Sequence, residues 1–219
     1  MDNFEQKRKE VIENLEALGR LKSPEIKKAM MKIRRELFVT PEYKNLAYAD
    51  TPLPIVGGAT ISAPHMYAIT FEAVKLKKGE KVLEIGAGSG YGAAIAQELI
   101  GDKGLVVTIE IIKEVYEFAK KNLKIAGYDD VKIIYGDGSL GCKEYAPYDC
   151  IISTAACPEI PKPWVEQLKP NGRLVSPVGS LAYGQDFIYL KKLADGKIEK
   201  KNLGGVVFLP LTGKYGYKT

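Results

Sequence analysis

Glycines and acidic residues cluster at three points of the chain where an apolar segment ends. The first is the stretch Glu84-Ile-Gly86-Ala-Gly88-Ser-Gly90, which begins inside the apolar segment Lys81–Ile85. Glycines at a strand-to-helix turn let the backbone approach a ligand without interference from Cβ atoms, at the positive end of a helix. On its own, such a turn fits a dinucleotide, a phosphate or an adenosyl group.

Two acidic residues narrow this choice. Glu110 ends the second apolar segment, 20 residues after Gly90. Its carboxylate suits two ribose hydroxyls, because it can accept a hydrogen bond from each and would repel a phosphate. Asp137 follows the third segment, before Gly138, and can accept from the amine of adenine. Either acidic residue alone could also be a capping residue at a strand-to-helix turn. The order of all three features, and a GxGxG spacing without the third glycine of the dinucleotide fingerprint, favour an adenosyl ligand.

These residues require a parallel sheet to bring them together. The periodicity predicts buried strands alternating with helices of 10 to 15 residues, which is typical of a parallel sheet covered on both faces. Such sheets bind ligands at the carboxyl ends of their strands. The predicted strands are Lys81–Ile85, Leu105–Ile109, Val131–Tyr135, Tyr148–Ser153 and Gly172–Pro177; the predicted helices are Met66–Val74, Tyr91–Ile100, Ile112–Ala126 and Pro161–Leu168.

Different patterns flank this core. Two helices are predicted at the start, the first ending at Gly19 and the second beginning with Ser23 as N-cap and Pro24 at its first position. Prolines and glycines exclude a long regular element over 38–64, while its apolar and aromatic side chains indicate an ordered, packed loop. Near the end, Gln185–Leu193 and Ile198–Pro210 are predicted to form an antiparallel hairpin.

The end of that loop, GGATISAPHM from Gly57 to Met66, contains two hydroxyl groups and the only histidine of the chain. Ser62 precedes Ala-Pro and could simply cap a helix that begins near Pro64. A lone histidine such as His65 is often a structural hydrogen-bonding residue. The alternative for both residues is a direct part in the chemistry of the site.

Composition excludes several classes of protein. The 219 residues carry a net charge of +5, with 32 basic and 27 acidic residues scattered along the chain, which favours a solvated surface over a nucleic-acid-binding patch. No apolar run approaches the roughly 18 residues of a membrane span, and the first 20 residues do not resemble a signal peptide, so a cytoplasmic protein is predicted. Three cysteines without a CxxC motif and one histidine make a metal site unexpected.

The motifs VLEIGAGSG, VVTIE and GDGS resemble those of the S-adenosyl-L-methionine-dependent methyltransferases. The stretches ATISAPHM, QLKPNGRLVSPVGS and GGVVFLPLT, together with APYDCIISTAACPEIP, are similar to one family among them, the protein-L-isoaspartate (D-aspartate) O-methyltransferases. This resemblance covers about residues 37–212. It implies an α/β fold: a doubly wound, mostly parallel Rossmann-like methyltransferase sheet with N-terminal helices and a C-terminal antiparallel hairpin.

The resemblance also implies an activity. The methyl donor would be S-adenosyl-L-methionine, leaving S-adenosyl-L-homocysteine, and the acceptor the free carboxylate of L-isoaspartyl and D-aspartyl residues in damaged proteins or peptides. No nucleic-acid or membrane partner is expected, and the protein would be a monomer. The chain would be one domain over 1–219, in which 1–65 carries the N-terminal helices and the acceptor-site loop, 66–180 the cofactor-binding core and 181–219 the antiparallel segment.

Each residue role follows from the matching motifs. Ser62 would be the catalytic residue that orients the acceptor carboxylate, with Thr60 beside it and His65 facing the cofactor. Glu84 could instead form a salt bridge within the fold or place the methionine amino group of the cofactor. The expected cofactor-binding residues are Thr60, His65, Glu84, Gly86, Gly88, Gly90, Glu110, Asp137 and Gly138; the expected substrate-binding residues are Thr60, Ser62, Leu211 and Thr212.

Three other functions remain open on the residues alone. A methyltransferase acting on RNA or a small molecule would keep the cofactor motifs, but the chain lacks an Asn/Asp-Pro-Pro-aromatic motif. An NAD-dependent oxidoreductase would need GxGxxG and a proton-relay group, which Ile151–Ala156 does not offer. A nucleic-acid-binding module without catalysis would rely on the basic residues alone.

Overall fold

The structure, a computed structural model, describes residues 3–218. Its helices are α1 (Asn3–Ala17), α2 (Pro24–Lys32), α3 (Pro64–Val74), α4 (Tyr91–Ile100), α5 (Lys113–Ala126) and α6 (Lys162–Glu166). Its strands are β1 (Leu53–Pro54), β2 (Thr60–Ile61), β3 (Lys81–Ile85), β4 (Leu105–Glu110), β5 (Lys132–Tyr135), β6 (Tyr148–Ser153), β7 (Leu168–Ser180), β8 (Gly184–Lys192) and β9 (Ile198–Val206). No helix within this range is long and apolar enough to cross a bilayer.

Seven strands form the main sheet, in the order β5-β4-β3-β6-β7-β8-β9. Strands β3 to β7 pair in parallel, and β8 and β9 are antiparallel, which confirms the predicted fold class. The chain leaves β3 toward β4 on one side and later returns to β6 on the other. The carboxyl ends of β3, β4 and β6 therefore surround the point where the strand order reverses, which is the usual ligand site of such sheets.

Both faces of the sheet are buried at its central strands β3, β4 and β6, which explains their nearly continuous apolar sequences. Side chains of one strand alternate between two cores because successive residues point to opposite faces. In β3, Val82 packs with the core that contains α1 to α4, whereas Leu83 and Ile85 pack with the core around Trp164. The glycine-rich turn after β3 is thus held between two packed layers.

The C-terminal strands differ from the prediction at their ends. β7 is longer than the predicted Gly172–Pro177, because its antiparallel pairing with β8 continues to Ser180. β9 ends at Val206 rather than at Pro210. The segment 207–210 leaves the sheet and instead pairs by single hydrogen bonds with the loop after β6, where the Ala156 N–H donates to the Leu209 carbonyl over 2.8 Å.

The structure confirms Ser23 as the N-cap residue of α2, but its side chain has another partner. Ser23 occupies the N-cap position of α2, and Pro24 follows as predicted, but the Ser23 hydroxyl makes no capping bond. It donates to the carboxylate of Glu72 on α3 over 2.8 Å, and the backbone N–H groups of Lys22 and Ser23 donate to the same carboxylate. A long-range partner has replaced the local one, so this serine joins two helices instead of ending one.

The loop over 38–64 is ordered and packed, as predicted. Phe38 and Ala47 are fully buried, and the strands β1 and β2 pair across its far end. A buried hydrogen-bond network fixes its beginning: the Tyr48 hydroxyl donates to Glu36 over 2.5 Å and accepts from Arg8 over 2.7 Å. Burial opposes the charge of Glu36, but these hydrogen bonds and the Arg8 charge hold its pKa below the ordinary value.

Candidate active site

A cavity of about 500 Å³ opens at the carboxyl ends of β3, β4 and β6. This volume lies in the range of small-molecule sites, roughly 300 to 1,000 Å³. Its walls come from the glycine-rich turn, the end of β4, the stretch 59–67 and the C-terminal segment 205–212. Ten of the residues singled out in the sequence line it: Thr60, Ser62, His65, Glu84, Gly86, Gly88, Glu110, Gly138, Leu211 and Thr212. Gly90 and Asp137 are not among the lining residues.

The glycine-rich turn needs glycine for its backbone conformation. Gly86 and Gly88 have φ values of 88° and 54°, which side-chain-bearing residues rarely adopt. A Cβ atom at Gly86 would also overlap the hydroxyl of Thr154. Because the N–H groups of Gly86 and Ala87 both donate to the Ile109 carbonyl, the turn is fixed to the neighbouring strand. At Gly86 and Gly88 the backbone of this wall is therefore open to a ligand, while Ala87 and Ser89 of the same turn also line the cavity.

Glu110 closes one end of this wall. Its Oε2 accepts a hydrogen bond from the Gly88 N–H over 3.1 Å, and its Oε1 accepts from the N–H groups of Ile111 and Ile112 over 3.0 Å each. These bonds hold the carboxylate in one orientation although it lines the cavity. Oε1 accepts two of these bonds and Oε2 accepts one, so Oε2 keeps a lone pair for a further donor such as a ribose hydroxyl.

Glu84 is buried between β3 and β4 and also lines the cavity. The Thr108 hydroxyl donates to its Oε2 over 2.6 Å. Within residues 3–218 no basic side chain forms a salt bridge with it, so the salt-bridge alternative is wrong. Burial raises the pKa of Glu84 to about 8; the Thr108 hydrogen bond offsets part of this, and the Glu110 charge adds to it. An ammonium group in the cavity would favour the charged form.

This raised pKa predicts a pH-dependent stability of the ligand-free protein. The contribution of Glu84 is fully present below 4.5, the unfolded value, and is lost as the pH rises through about 8. We expect the wild type to lose about 3 kcal/mol more unfolding free energy than Glu84→Gln between about pH 5 and about pH 9. Urea unfolding of both proteins at several pH values measures the difference. A difference that does not change with pH contradicts the raised pKa.

The structure places Asp137 behind the cavity wall rather than in it. Its Oδ1 accepts from the Ser139 N–H over 2.9 Å, and its Oδ2 accepts from the Lys214 N–H over 2.9 Å. A Cβ atom at Gly213 would overlap this carboxylate. The chain after Thr212 thus folds over Asp137, a contact that no local pattern predicts. Gly90 is also displaced from the cavity: it packs against Leu123 and Ala119 of α5.

Another part of the cavity lining comes from the stretch GGATISAPHM. Thr60, Ser62 and His65 all line the cavity. Ser62 does not cap α3, because the N-cap residue is Ala63 and it makes no side-chain cap bond. His65 makes a structural hydrogen bond and also borders the site. Its Nδ1 lies 2.9 Å from Asp50 Oδ1, and the residue lines the cavity.

Sequence reasoning missed residues that support or line the cavity. Thr154 after β6 lines it and donates to the Gly86 carbonyl over 2.7 Å. The buried Trp164 on α6 donates from Nε1 to the carbonyl of Gly138 over 2.9 Å. The partners of Thr154 and Trp164 lie 68 and 26 residues away, so a scan of local motifs contains no signal for these contacts. Gln185, which the resemblance to the family matches to a glutamine near the cofactor, forms two hydrogen bonds with the backbone of Phe208, another lining residue.

Comparison with known proteins identifies the family of this chain. The family model described as protein-L-isoaspartate(D-aspartate) O-methyltransferase matches residues 6–216. Protein-L-isoaspartate O-methyltransferase 2 of Archaeoglobus fulgidus is 50% identical over 217 residues, which are 99% of this chain and 98% of that one. The protein-L-isoaspartate O-methyltransferase of Pyrococcus horikoshii is 51% identical over 213 residues, 97% of this chain and 96% of that one.

Solved structures agree with this comparison. A protein-L-isoaspartate O-methyltransferase structure superposes with a TM-score of 0.87 at 35% identity, over 95% of this chain and 67% of that one. A Plasmodium falciparum structure, described as a putative protein-L-isoaspartate O-methyltransferase in complex with S-adenosyl-L-homocysteine, gives a TM-score of 0.83 at 26% identity, over 97% and 99%. On the family match and these near-full-length relatives, the chain belongs to the protein-L-isoaspartate(D-aspartate) O-methyltransferase family.

Proposed function

We propose that this protein transfers a methyl group from S-adenosyl-L-methionine to the free carboxylate of L-isoaspartyl, and D-aspartyl, residues in damaged proteins and peptides. One observation carries the proposal: the glycine-rich turn, Glu110 and Ser62 all line the same cavity. A methyl donor and a carboxylate acceptor can therefore meet in one enclosed space, which is what a transfer in one step requires.

The residues present fit the cofactor. Gly86 and Gly88 leave the backbone open to a ligand, Glu110 presents a fixed carboxylate for a ribose hydroxyl, and Glu84 presents a second carboxylate for an ammonium group. We propose that Thr60, His65 and Gly138 complete this side, with Gly90 and Asp137 supporting the turns next to it. When bound, S-adenosyl-L-methionine supplies a methyl group on a positively charged sulfur, which an ionised carboxylate can take without a general base.

On the acceptor side, an isoaspartyl carboxylate is already ionised near neutral pH. The Ser62 hydroxyl can donate a hydrogen bond to one carboxylate oxygen and leave the other free to attack. Leu211 and Thr212 border the same space and offer backbone groups to a peptide. The contribution of these residues is position and electrostatics rather than proton transfer.

The product explains how such a reaction leads to repair. In a methyl ester of isoaspartate, the backbone nitrogen that follows attacks the ester carbonyl, and methanol leaves. The resulting succinimide takes up water and opens partly to normal aspartate. Neither step needs a residue of this protein, so methyl transfer alone accounts for its part in repair.

Two peptides that differ only in an Asp or isoAsp linkage test the proposal. With labelled S-adenosyl-L-methionine, we expect label in the isoAsp peptide and background in the Asp peptide. Only the isoAsp residue has a free α-carboxylate, because its chain continues through the side-chain carbonyl. Equal labelling of both peptides, or labelling of neither, contradicts the proposed acceptor. Adding tRNA or total RNA as a third acceptor tests the alternative of an RNA methyltransferase, for which we expect no label.

Three further expectations stay predictions: a monomer, a cytoplasmic location and the absence of a nucleic-acid partner. The division of a single domain into an acceptor part over 1–65, a cofactor core over 66–180 and an antiparallel part over 181–219 is likewise proposed. Cavity-lining residues come from all three parts, for example Ser62, Glu110 and Leu211, which supports a single cooperative unit. Sedimentation and one calorimetric unfolding transition would test the first and the last of these proposals.

A further inference from the structure

Arg35 is a charged side chain in the interior, only 1% exposed, at the start of a short 3-10 helix over Arg35–Leu37. Its Nε donates to the Ala47 carbonyl over 2.6 Å, and its Nη2 donates to the Ser62 carbonyl over 2.8 Å. Ser62 lies 27 residues further along the chain. The guanidinium group therefore fixes the backbone of the acceptor-side serine to a distant part of the packed loop.

The same group contacts the cofactor side of the molecule. Its central carbon lies 5.8 Å from the ring centre of Tyr67 on α3 and 5.1 Å from that of Tyr91, and the two rings meet edge to face at 4.9 Å. Tyr91 is the first residue of α4, directly after the glycine-rich turn. Arg35 thus touches both the segment that carries Ser62 and the helix that follows the glycine-rich turn.

Within residues 3–218, Arg35 is buried without an ion pair. Among the described residues, Nη1 of Arg35 is buried without a hydrogen-bond partner, and no carboxylate forms a salt bridge with this group. Burying a charge without an opposite charge beside it is costly, which points to a role for the geometry of this guanidinium group. A planar guanidinium can donate to two carbonyls while stacking near aromatic rings, and an ammonium cannot replace it in all these contacts.

Ser62 lies in the connection between β2 and α3, so contacts from other residues must hold its backbone, and the Tyr67 hydroxyl also hydrogen-bonds it. β2 ends at Ile61, α3 begins at Pro64, and the N-cap residue between them makes no side-chain cap bond. We propose that Arg35 is a positioning residue, an inference that rests on the proposed function. It fixes the distance and angle between the Ser62 hydroxyl and the glycine-rich turn. It does so through the Ser62 carbonyl and the Tyr91 ring.

A double-mutant cycle tests this role. We expect Arg35→Lys to lower kcat about 10- to 100-fold while the Kd for S-adenosyl-L-homocysteine changes little, because misplacement by an ångström has effects of that size. In the Ser62→Ala background, the same change should lower kcat by no more than about twofold, since the two residues act as a unit. Equal factors in both backgrounds show that Arg35 only supports the fold and overturn the proposal.

The matched control is Arg173→Lys. The Arg173 guanidinium is less deeply buried than that of Arg35, bonds Glu80 and lies away from the cavity. We expect it to lower the melting temperature without changing kcat. If Arg35→Lys does not fold, Tyr91→Leu removes one ring and keeps Arg35. It should lower kcat in the wild type and not in the Ser62→Ala background, and additive factors again overturn the proposal.

A second measurement does not depend on activity. His65 is the only histidine and lies three positions from Ser62, so its ring C–H resonance reports the local conformation of this segment. We expect this resonance to shift or split in Arg35→Lys and to stay unchanged in Arg173→Lys. An unchanged resonance in Arg35→Lys overturns the positioning role. If the wild type labels neither peptide, the proposed function fails, and this resonance still decides whether Arg35 places the segment.

Discussion

Replacing Ser62 by alanine is expected to lower kcat about 100-fold, because the acceptor carboxylate then keeps its charge but loses the donor that orients it. The Kd for S-adenosyl-L-methionine should change by less than about twofold, since the cofactor contacts proposed for Gly86, Gly88 and Glu110 do not involve Ser62. Steady-state kinetics with an isoAsp peptide gives the first quantity, and calorimetric titration gives the second.

A structural serine provides the control for this experiment. Ser23 is hydrogen-bonded to Glu72 and does not line the cavity, so Ser23→Ala should lower stability and leave kcat unchanged. If Ser62→Ala retains the wild-type kcat, Ser62 is not the catalytic residue. A large loss of cofactor affinity in Ser62→Ala would instead place this residue on the donor side.

The second large effect is expected for Glu110→Gln, which should raise the Kd for S-adenosyl-L-methionine at least about 10-fold. A glutamine side chain has one acceptor oxygen in place of two. It can no longer accept from the Gly88 N–H on one side, from Ile111 and Ile112 on the other, and from a ribose hydroxyl as well. Because both the turn and the ligand lose partners, the loss should appear in binding before it appears in kcat at saturating cofactor.

Glu98→Gln serves as the matched control, because Glu98 is hydrogen-bonded to Tyr128 and lies outside the cavity. We expect no change of cofactor affinity in this variant. Glu110→Asp keeps the charge with a shorter side chain and should fall between wild type and Glu110→Gln. A Kd in Glu110→Gln equal to that of the wild type contradicts the assignment of this carboxylate to the cofactor.

Sequence reasoning was most successful where the physical cause is local. The turn at Gly86 and Gly88 requires positive φ values, and Glu110 ends a strand whose position follows from its apolar pattern. The parallel sheet follows from the same periodicity. The role expected of Ser62 came from the resemblance of several separated motifs, because a serine before Ala-Pro is equally compatible with a helix cap.

The features that were missed depend on contacts between distant parts of the chain. Ser23 has a suitable type and position for a cap, but Glu72 on another helix takes its hydroxyl. Asp137 follows its strand as predicted, yet the chain near Gly213 and Lys214 returns to cover it. In the sequence, nothing distinguishes Arg35 from the other basic residues. Only the folded chain shows that its guanidinium donates to the Ser62 carbonyl. Such pairings depend on tertiary packing, which propensity and periodicity do not describe.

Trp164 gives the protein an optical reporter of its own. It is the only tryptophan in the chain, its indole is fully buried, and its Nε1–H is bonded to the carbonyl of Gly138, whose other side borders the cavity. Indole emission depends on the polarity and hydrogen bonding around the ring. Intrinsic fluorescence can therefore follow occupation of the cavity without a label, and excitation of Trp164 reports one defined place in the molecule.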